Sequence, residues 1–191
     1  AAVPSGSGSM AAILGLDDAK IIEICSIANK LGVVEAVNFN SPGQVVIAGE
    51  KQAVANACEL LKKAGAKRAL VLPVSVPSHC SLMKDAAMDF KHSVDNINFQ
   101  MGSEKVLHNV DADYSTNIEQ IKSKLVEQLY KPVLWTSIVQ EMKNLGVEKL
   151  IETGPGKVLA GLTRRIDKSL TGSAIIDVTT LRSTIEEISN A

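Results

Sequence analysis

Val33-Val34-Glu35-Ala36-Val37-Asn38-Phe39 and Gln44-Val45-Val46-Ile47-Ala48 are two apolar runs separated by Asn40-Ser41-Pro42-Gly43. β-Branched and aromatic residues suit a pleated strand and the four turn formers between them suit chain reversal, so the stretch predicts a hairpin of strands over 33–39 and 44–48. On its N-terminal side, Asp17 and Asp18 stand at the start of a helical pattern that places Ile21, Ile24, Cys25 and Ala28 on one face and stops at Gly32. A strand over 10–16 precedes that helix. On the C-terminal side, a helix over 50–64 turns Val54, Cys58 and Leu61 inward, Gly65 closes it, and a strand over 68–72 follows. The order is βαββαβ, the split βαβ unit of ferredoxin-like domains, and it defines a small subdomain over 10–72. Before it, residues 1–9 hold Pro4 and a Ser/Gly run, a flexible loop.

The rest, 73–191, reads differently. Helices are predicted over 81–94, 117–129, 135–145, 157–169 and 180–189, and strands over 149–152 and 174–178. Two short strands separated by a helix predict a parallel sheet. Two strands are too few to be stable alone, so this part is expected to pair with another chain or with residues preceding Ala1.

Composition removes several classes of function. Lys plus Arg number 20 and Asp plus Glu 21, a balance that argues against nucleic-acid binding. Aromatics are 3% of the chain, too few for base-stacking platforms. No apolar run reaches the roughly 18 residues of a membrane span, and no signal peptide opens the sequence. Cys25, Cys58 and Cys80 are scattered and form no C-x-x-C, which predicts free thiols in a reducing, cytoplasmic compartment.

Three motifs are decoys. Gly6-Ser7-Gly8-Ser9-Met10-Ala11 fits a loose dinucleotide fingerprint but precedes a strand where the fingerprint must follow one. Gly154-Pro155-Gly156-Lys157 lacks the rest of a phosphate loop and reads as a strand-to-helix turn, with free N–H groups able to touch an anion. Ser81-Leu82-Met83-Lys84 matches S-x-x-K without the partner K-T-G, and reads as a helix N-cap. His79, His92 and His108 lack helical metal-ligand spacing.

His79 has the setting of a chemical group: an extended loop after a strand, flanked by Ser78 and Cys80, with Pro77 fixing its approach. Histidine titrates near neutrality and is the commonest general base; a hydrogen-bonded structural role is the alternative. A base needs a nucleophile, yet none of the 13 glycines has Ser two positions on, so the G-x-S-x-G elbow is missing from the sequence. Cys80 as the nucleophile is a weak option, because neighbours in an extended segment point to opposite sides.

Pro73-Val74-Ser75-Val76-Pro77-Ser78-His79-Cys80-Ser81-Leu82-Met83 resembles the segment that holds the catalytic histidine of malonyl-CoA:acyl carrier protein transacylases. Val37 to Gly49 resembles that family's small-subdomain hairpin. Gln128-Leu129-Tyr130-Lys131-Pro132-Val133-Leu134-Trp135 and Glu152-Thr153-Gly154-Pro155-Gly156-Lys157-Val158-Leu159 resemble later blocks, and Gly6 to Ala12 resembles the crossover into the small subdomain. The four main blocks are in the family's order along the whole chain.

The resemblance implies an α/β protein: the ferredoxin-like small subdomain followed by the C-terminal part, 73–191, of an α/β-hydrolase-like acyltransferase subdomain. The family's oxyanion loop, its serine elbow and its carboxylate-binding arginine would precede Ala1. The implied activity is transfer of malonyl from coenzyme A to the phosphopantetheine thiol of acyl carrier protein, in fatty acid synthesis, with no cofactor. His79 would be the general base, oriented by the main-chain carbonyl of Gln128; Ser78, Asn38 and Asn40 would meet substrate, although turn and strand-end hydrogen bonding accounts equally for the two asparagines. The implied partners are malonyl-CoA, acyl carrier protein and the N-terminal part of the same enzyme, the intact protein being a monomer. Without its serine the chain alone is expected to be inactive. The competing expectation is a non-catalytic ferredoxin-like binding module.

Overall fold

A computed structural model describes residues 3–4 and 6–189. The chain divides into two compact units, 1–138 and 139–191. It is a mixed α/β fold with one four-stranded antiparallel sheet and one two-stranded parallel sheet.

The first unit opens with β1 (Gly8–Leu14), α1 (Asp18–Ala28), β2 (Val34–Ser41), β3 (Gln44–Glu50), α2 (Lys51–Lys63) and β4 (Arg68–Val71). The strands lie in the order β2-β3-β1-β4, each antiparallel to its neighbour. Both faces of the sheet are covered. Ala11, Ile13, Val45 and Ile47 pack with Ile21, Ile24, Val54 and Leu61 of α1 and α2, while Met10, Val46 and Ala48 face the other way and bury Cys80. Coverage of both faces explains why β1 and β3 read as apolar runs without alternation.

The loop expected over 1–9 lies partly outside the described residues, and Gly8 and Ser9 already belong to β1. That strand ends early because Gly15, at φ 83°, takes a left-handed turn and its N–H donates to the Gly43 carbonyl at 2.8 Å. The hairpin is tighter than the sequence suggested. Ser41 pairs with Gln44, leaving Pro42 and Gly43 (φ 72°) as a two-residue turn. Irregularities in β2 register between Ala36 and Asn38 and between Phe39 and Ser41 are β-bulges. Asp17 is the N-cap of α1 but its side chain makes no capping bond, so the expected carboxylate cap is absent; only its carbonyl accepts, from Ile21 N–H at 3.1 Å.

α3 (Lys84–Asp95) and α4 (Ile118–Glu127) follow and pack around Ala87, Val94 and Val126. α5 (Trp135–Asn144) leads into the second unit, which contains β5 (Lys149–Thr153), α6 (Val158–Ile166), β6 (Thr171–Ile175) and α7 (Val178–Ser189). β5 and β6 are parallel, with Lys149 opposite Thr171. The strand expected over 174–178 is therefore displaced by three residues. Asp177 stops it: its carboxylate accepts from Thr180 N–H at 2.8 Å and starts α7. α6 ends before the expected 169 because Asp167 leaves helical geometry and accepts from Ser169 N–H at 2.8 Å.

Candidate active site

The segment from Pro73 to Cys80 contains no helix or strand. Pro77 and Cys80 are buried, and Ser78 and His79 are partly exposed. Cys80 is the anchor. Its side chain is enclosed by the sheet with Met10, Val37, Val46 and Ala48, and its Sγ donates to the Pro77 carbonyl at 3.1 Å. Burial pushes this thiol up to about 11, with the Glu35 carboxylate adding to the rise and main-chain hydrogen bonds opposing it. A thiol so held is not a nucleophile near neutrality, which removes the Cys80 option.

His79 adopts φ 66°, one of two non-glycine residues in the left-handed region among those described. Two bonds hold it there. Its N–H donates to the Leu129 carbonyl at 3.0 Å, and its Nδ1 lies 2.6 Å from the Gln128 carbonyl oxygen. A carbonyl only accepts, so the neutral ring carries its proton on Nδ1 and leaves the Nε2 lone pair free.

The acceptors come from a helix end. Gln128 is the C-cap of α4, where carbonyls lack intrahelical partners. Asn117 fixes the start of α4 by accepting from Gln120 N–H at 2.9 Å. The chain beyond then attaches to the edge of β2: Phe39 N–H donates to the Val133 carbonyl at 2.9 Å, Val133 N–H to the Val37 carbonyl at 2.8 Å, and Thr136 Oγ1 to the Phe39 carbonyl at 3.0 Å. Asn38, between these contacts, is bridged to Val133, and Asn40 lies at the second bulge. Both asparagines are partly exposed.

Sequence reasoning missed Glu35. From β2 its carboxylate accepts both Ser81 donors, N–H at 3.0 Å and Oγ–H at 2.5 Å. Ser81 is not the helix N-cap expected of it: it opens a short 3-10 turn capped by Cys80, ahead of α3, whose own N-cap is Met83. No local spacing links residues 46 apart in sequence, although Glu35 is the one charged residue of β2.

The remaining candidates hold other partners. His92 Nδ1 lies 2.9 Å from the Met88 carbonyl within α3. His108 is buried with Nε2 3.0 Å from Ser115 Oγ; burial holds its pKa below the usual histidine value, and Lys124 adds to that. In the second unit, one donor at the N-terminus of α6, which follows the Gly154-Pro155-Gly156-Lys157 turn, is met within the chain: the Glu152 carboxylate accepts from Ala160 N–H at 2.9 Å. Among the described residues no helix is long and apolar enough to cross a membrane.

No family model matches the chain. Individual proteins do. The malonyl CoA-acyl carrier protein transacylase of Escherichia coli strain K12 is 54% identical over 185 residues, which is 97% of this chain and 60% of that protein. An acyl carrier protein S-malonyltransferase from Vibrio cholerae, solved as a crystal structure, superposes with a TM-score of 0.93 at 54% identity, covering 96% of this chain and 60% of that one. A malonyl-transacylase solved in complex with its type II polyketide-synthase acyl-carrier protein superposes with a TM-score of 0.95 at 48% identity, covering 97% and 60%. The chain thus spans about 60% of the length of the relatives it matches. With more than half of its residues identical across nearly its whole length, and with a closely similar backbone, the chain is strongly homologous to malonyl CoA-acyl carrier protein transacylases over about 60% of their length.

Proposed function

We propose that this chain supplies the base side of malonyl transfer from coenzyme A to an acyl carrier protein thiol, in fatty acid synthesis. The observation that carries the reading is the ring of His79: Nδ1 faces the Gln128 carbonyl at 2.6 Å, and the partly exposed ring keeps its other nitrogen for chemistry. A base with a fixed tautomer is the arrangement that acyl transfer needs.

The serine belongs to a segment outside these 191 residues, since no G-x-S-x-G occurs in them. In the first transfer His79 Nε2 takes the serine proton as the oxygen attacks the malonyl thioester carbonyl. The C–S bond breaks and the proton passes to the departing coenzyme A sulfur. In the second, Nε2 takes the proton of the carrier's pantetheine thiol as the sulfur attacks the serine ester carbonyl; the ester C–O bond breaks and Nε2 passes the proton to the departing serine oxygen. Ser78, Asn38 and Asn40 are the substrate-facing residues in this reading. No cofactor enters the scheme, the partners are malonyl-CoA, the carrier protein and the serine-bearing segment, and the intact enzyme works as a cytoplasmic monomer.

The architecture follows the same reading: a ferredoxin-like small subdomain over 10–72, supported by the all-antiparallel order β2-β3-β1-β4, and the closing part of a hydrolase-like subdomain over 73–191. Joining the chain to a serine-bearing segment and assaying malonyl transfer tests the whole. His79→Gln is expected to lower kcat/KM by roughly 10²- to 10⁴-fold; undiminished transfer removes His79 from the role.

A further inference from the structure

β2 is an edge strand of its sheet, and both attachments of the His79 loop lead back to it. On one side, Val37 and Phe39 bind Val133, five residues beyond the Gln128 carbonyl that the ring meets. On the other, Glu35 binds Ser81 through two hydrogen bonds, two residues beyond His79. Between these attachments His79 is held at φ 66°, a conformation a non-glycine residue keeps only when its surroundings enforce it. The Leu129 carbonyl secures its N–H and the buried Cys80 secures the next residue. At the start of the turn that follows, the Glu35 pair joins the turn's own bond, from Met83 N–H to the Cys80 carbonyl at 3.0 Å, and is what ties the turn to β2. Bonds to a charged acceptor are about twice as strong as neutral ones, and a carboxylate aimed at the first N–H groups of a helical turn is favourably placed.

We infer that Glu35 is a positioning residue for the His79 imidazole: by clamping Ser81 to β2 it holds the ring against Gln128 in the Nδ1–H tautomer. The inference rests on the reading of His79 as the base, but its signature lies in the ring and not in turnover.

Imidazole 15N–1H correlation at about pH 8, where a histidine is neutral, reads the tautomer in labelled protein containing the whole 191-residue chain; His79→Gln assigns the signals. Amide exchange at His79 is measured in parallel, with Ile47, buried in the sheet, as the control for global folding. In Glu35→Ala the ring is expected to lose its single-tautomer signature and the His79 amide to lose about tenfold or more in protection, while Ile47 is unchanged; one lost charged hydrogen bond is of that size. Glu35→Gln restores the native signature, because its carbonyl accepts from Ser81 N–H and its amide donates to Ser81 Oγ.

Ser81→Pro approaches from the other side. It deletes both donors, yet proline suits the first position of a helical turn, and Cys80 before it is already extended at φ −113°, ψ 168°. The same loss is expected, and this variant decides the matter if Glu35→Ala also loses Ile47 protection. A native His79 tautomer and native His79 protection in Ser81→Pro, or in folded Glu35→Ala, overturns the inference and leaves the transfer reading standing. Loss of the signature in folded Glu35→Ala, together with undiminished malonyl transfer by His79→Gln in the chain joined to a serine-bearing segment, refutes the transfer reading alone.

Discussion

The Gln128 carbonyl oxygen lies 2.6 Å from His79 Nδ1, across 49 residues of chain. The carbonyl is left over by the end of α4, so the ring is oriented by main chain, and residue 128 can change its side chain without changing the acceptor. Gln128→Ala should leave both the His79 tautomer and malonyl transfer within about twofold of the parent, because only the backbone is used. Imidazole 15N spectra and a transfer assay measure this; a tautomer switch would assign the glutamine side chain a part that the geometry does not give it.

The three thiols should resist modification in the native chain. Cys25 is pushed up to about 12, chiefly by burial, Cys80 to about 11, and Cys58 is also raised, again chiefly by burial. At about pH 8, a thiol with a pKa near 11 is ionised in about one molecule per thousand. Reaction with a disulfide reagent should therefore wait for denaturation, after which all three react. Fast native labelling of Cys80 would place it outside the pocket formed by Met10, Val37, Val46 and Ala48.

Malonyl-CoA should leave no covalent mark on these 191 residues. No serine elbow is present, and the serines beside His79 are otherwise engaged or unactivated: Ser81 Oγ donates to Glu35. Intact-mass measurement after incubation is expected to show the unmodified chain. A stoichiometric malonyl gain at Ser78 or Ser81 would move the nucleophile into this sequence.

Two glycines should differ sharply on conversion to alanine. A Cβ at Gly49 would collide with the Val33 carbonyl oxygen and come within 2.7 Å of Val34 Cα, both main chain. β2 and β3 would have to separate, costing about 3 kcal/mol or more. A Cβ at Gly156 meets nothing within 4 Å, and its substitution should change stability by about 0.5 kcal/mol or less. Urea denaturation followed by circular dichroism compares them; equal midpoints would contradict the close approach of the two strands.

Asp167 gives a pH signature in the second unit. Its carboxylate accepts from Lys143 and from Ser169, and these bonds, that from Lys143 first, lower its pKa from an ordinary 3.8 to about 2. A depressed carboxyl pKa contributes stability above its ordinary value and loses it as pH falls through the folded one. The Ser169 amide resonance should therefore hold steady through pH 4 and shift with a midpoint near 2. A midpoint at 3.8 would mean that the Lys143 contact does not persist in solution.

The elements whose signals are local were legible in the residues alone. Apolar runs, helical periodicity and turn residues between 10 and 72 specify β-α-β-β-α-β, because strand and helix periods are properties of neighbouring side chains. The sequence also displayed His79 on its proline-bounded loop, and the resemblance of whole blocks supplied Gln128, which spacing could not.

Features that depend on partners distant in the chain emerge only in the folded protein. β6 lies at Thr171–Ile175 and not three residues on, because pairing with β5 and the Asp177 cap outweigh an apolar run that serves either register. Asp17, a favoured cap by type, makes no side-chain capping bond, while Glu35, unremarked in its strand, takes both donors of Ser81. The physical reason is the same in each case. A hydrogen bond between residues 46 or 49 positions apart leaves no periodic trace in the sequence, since its geometry exists only after the sheet edge and the end of α4 have been brought together.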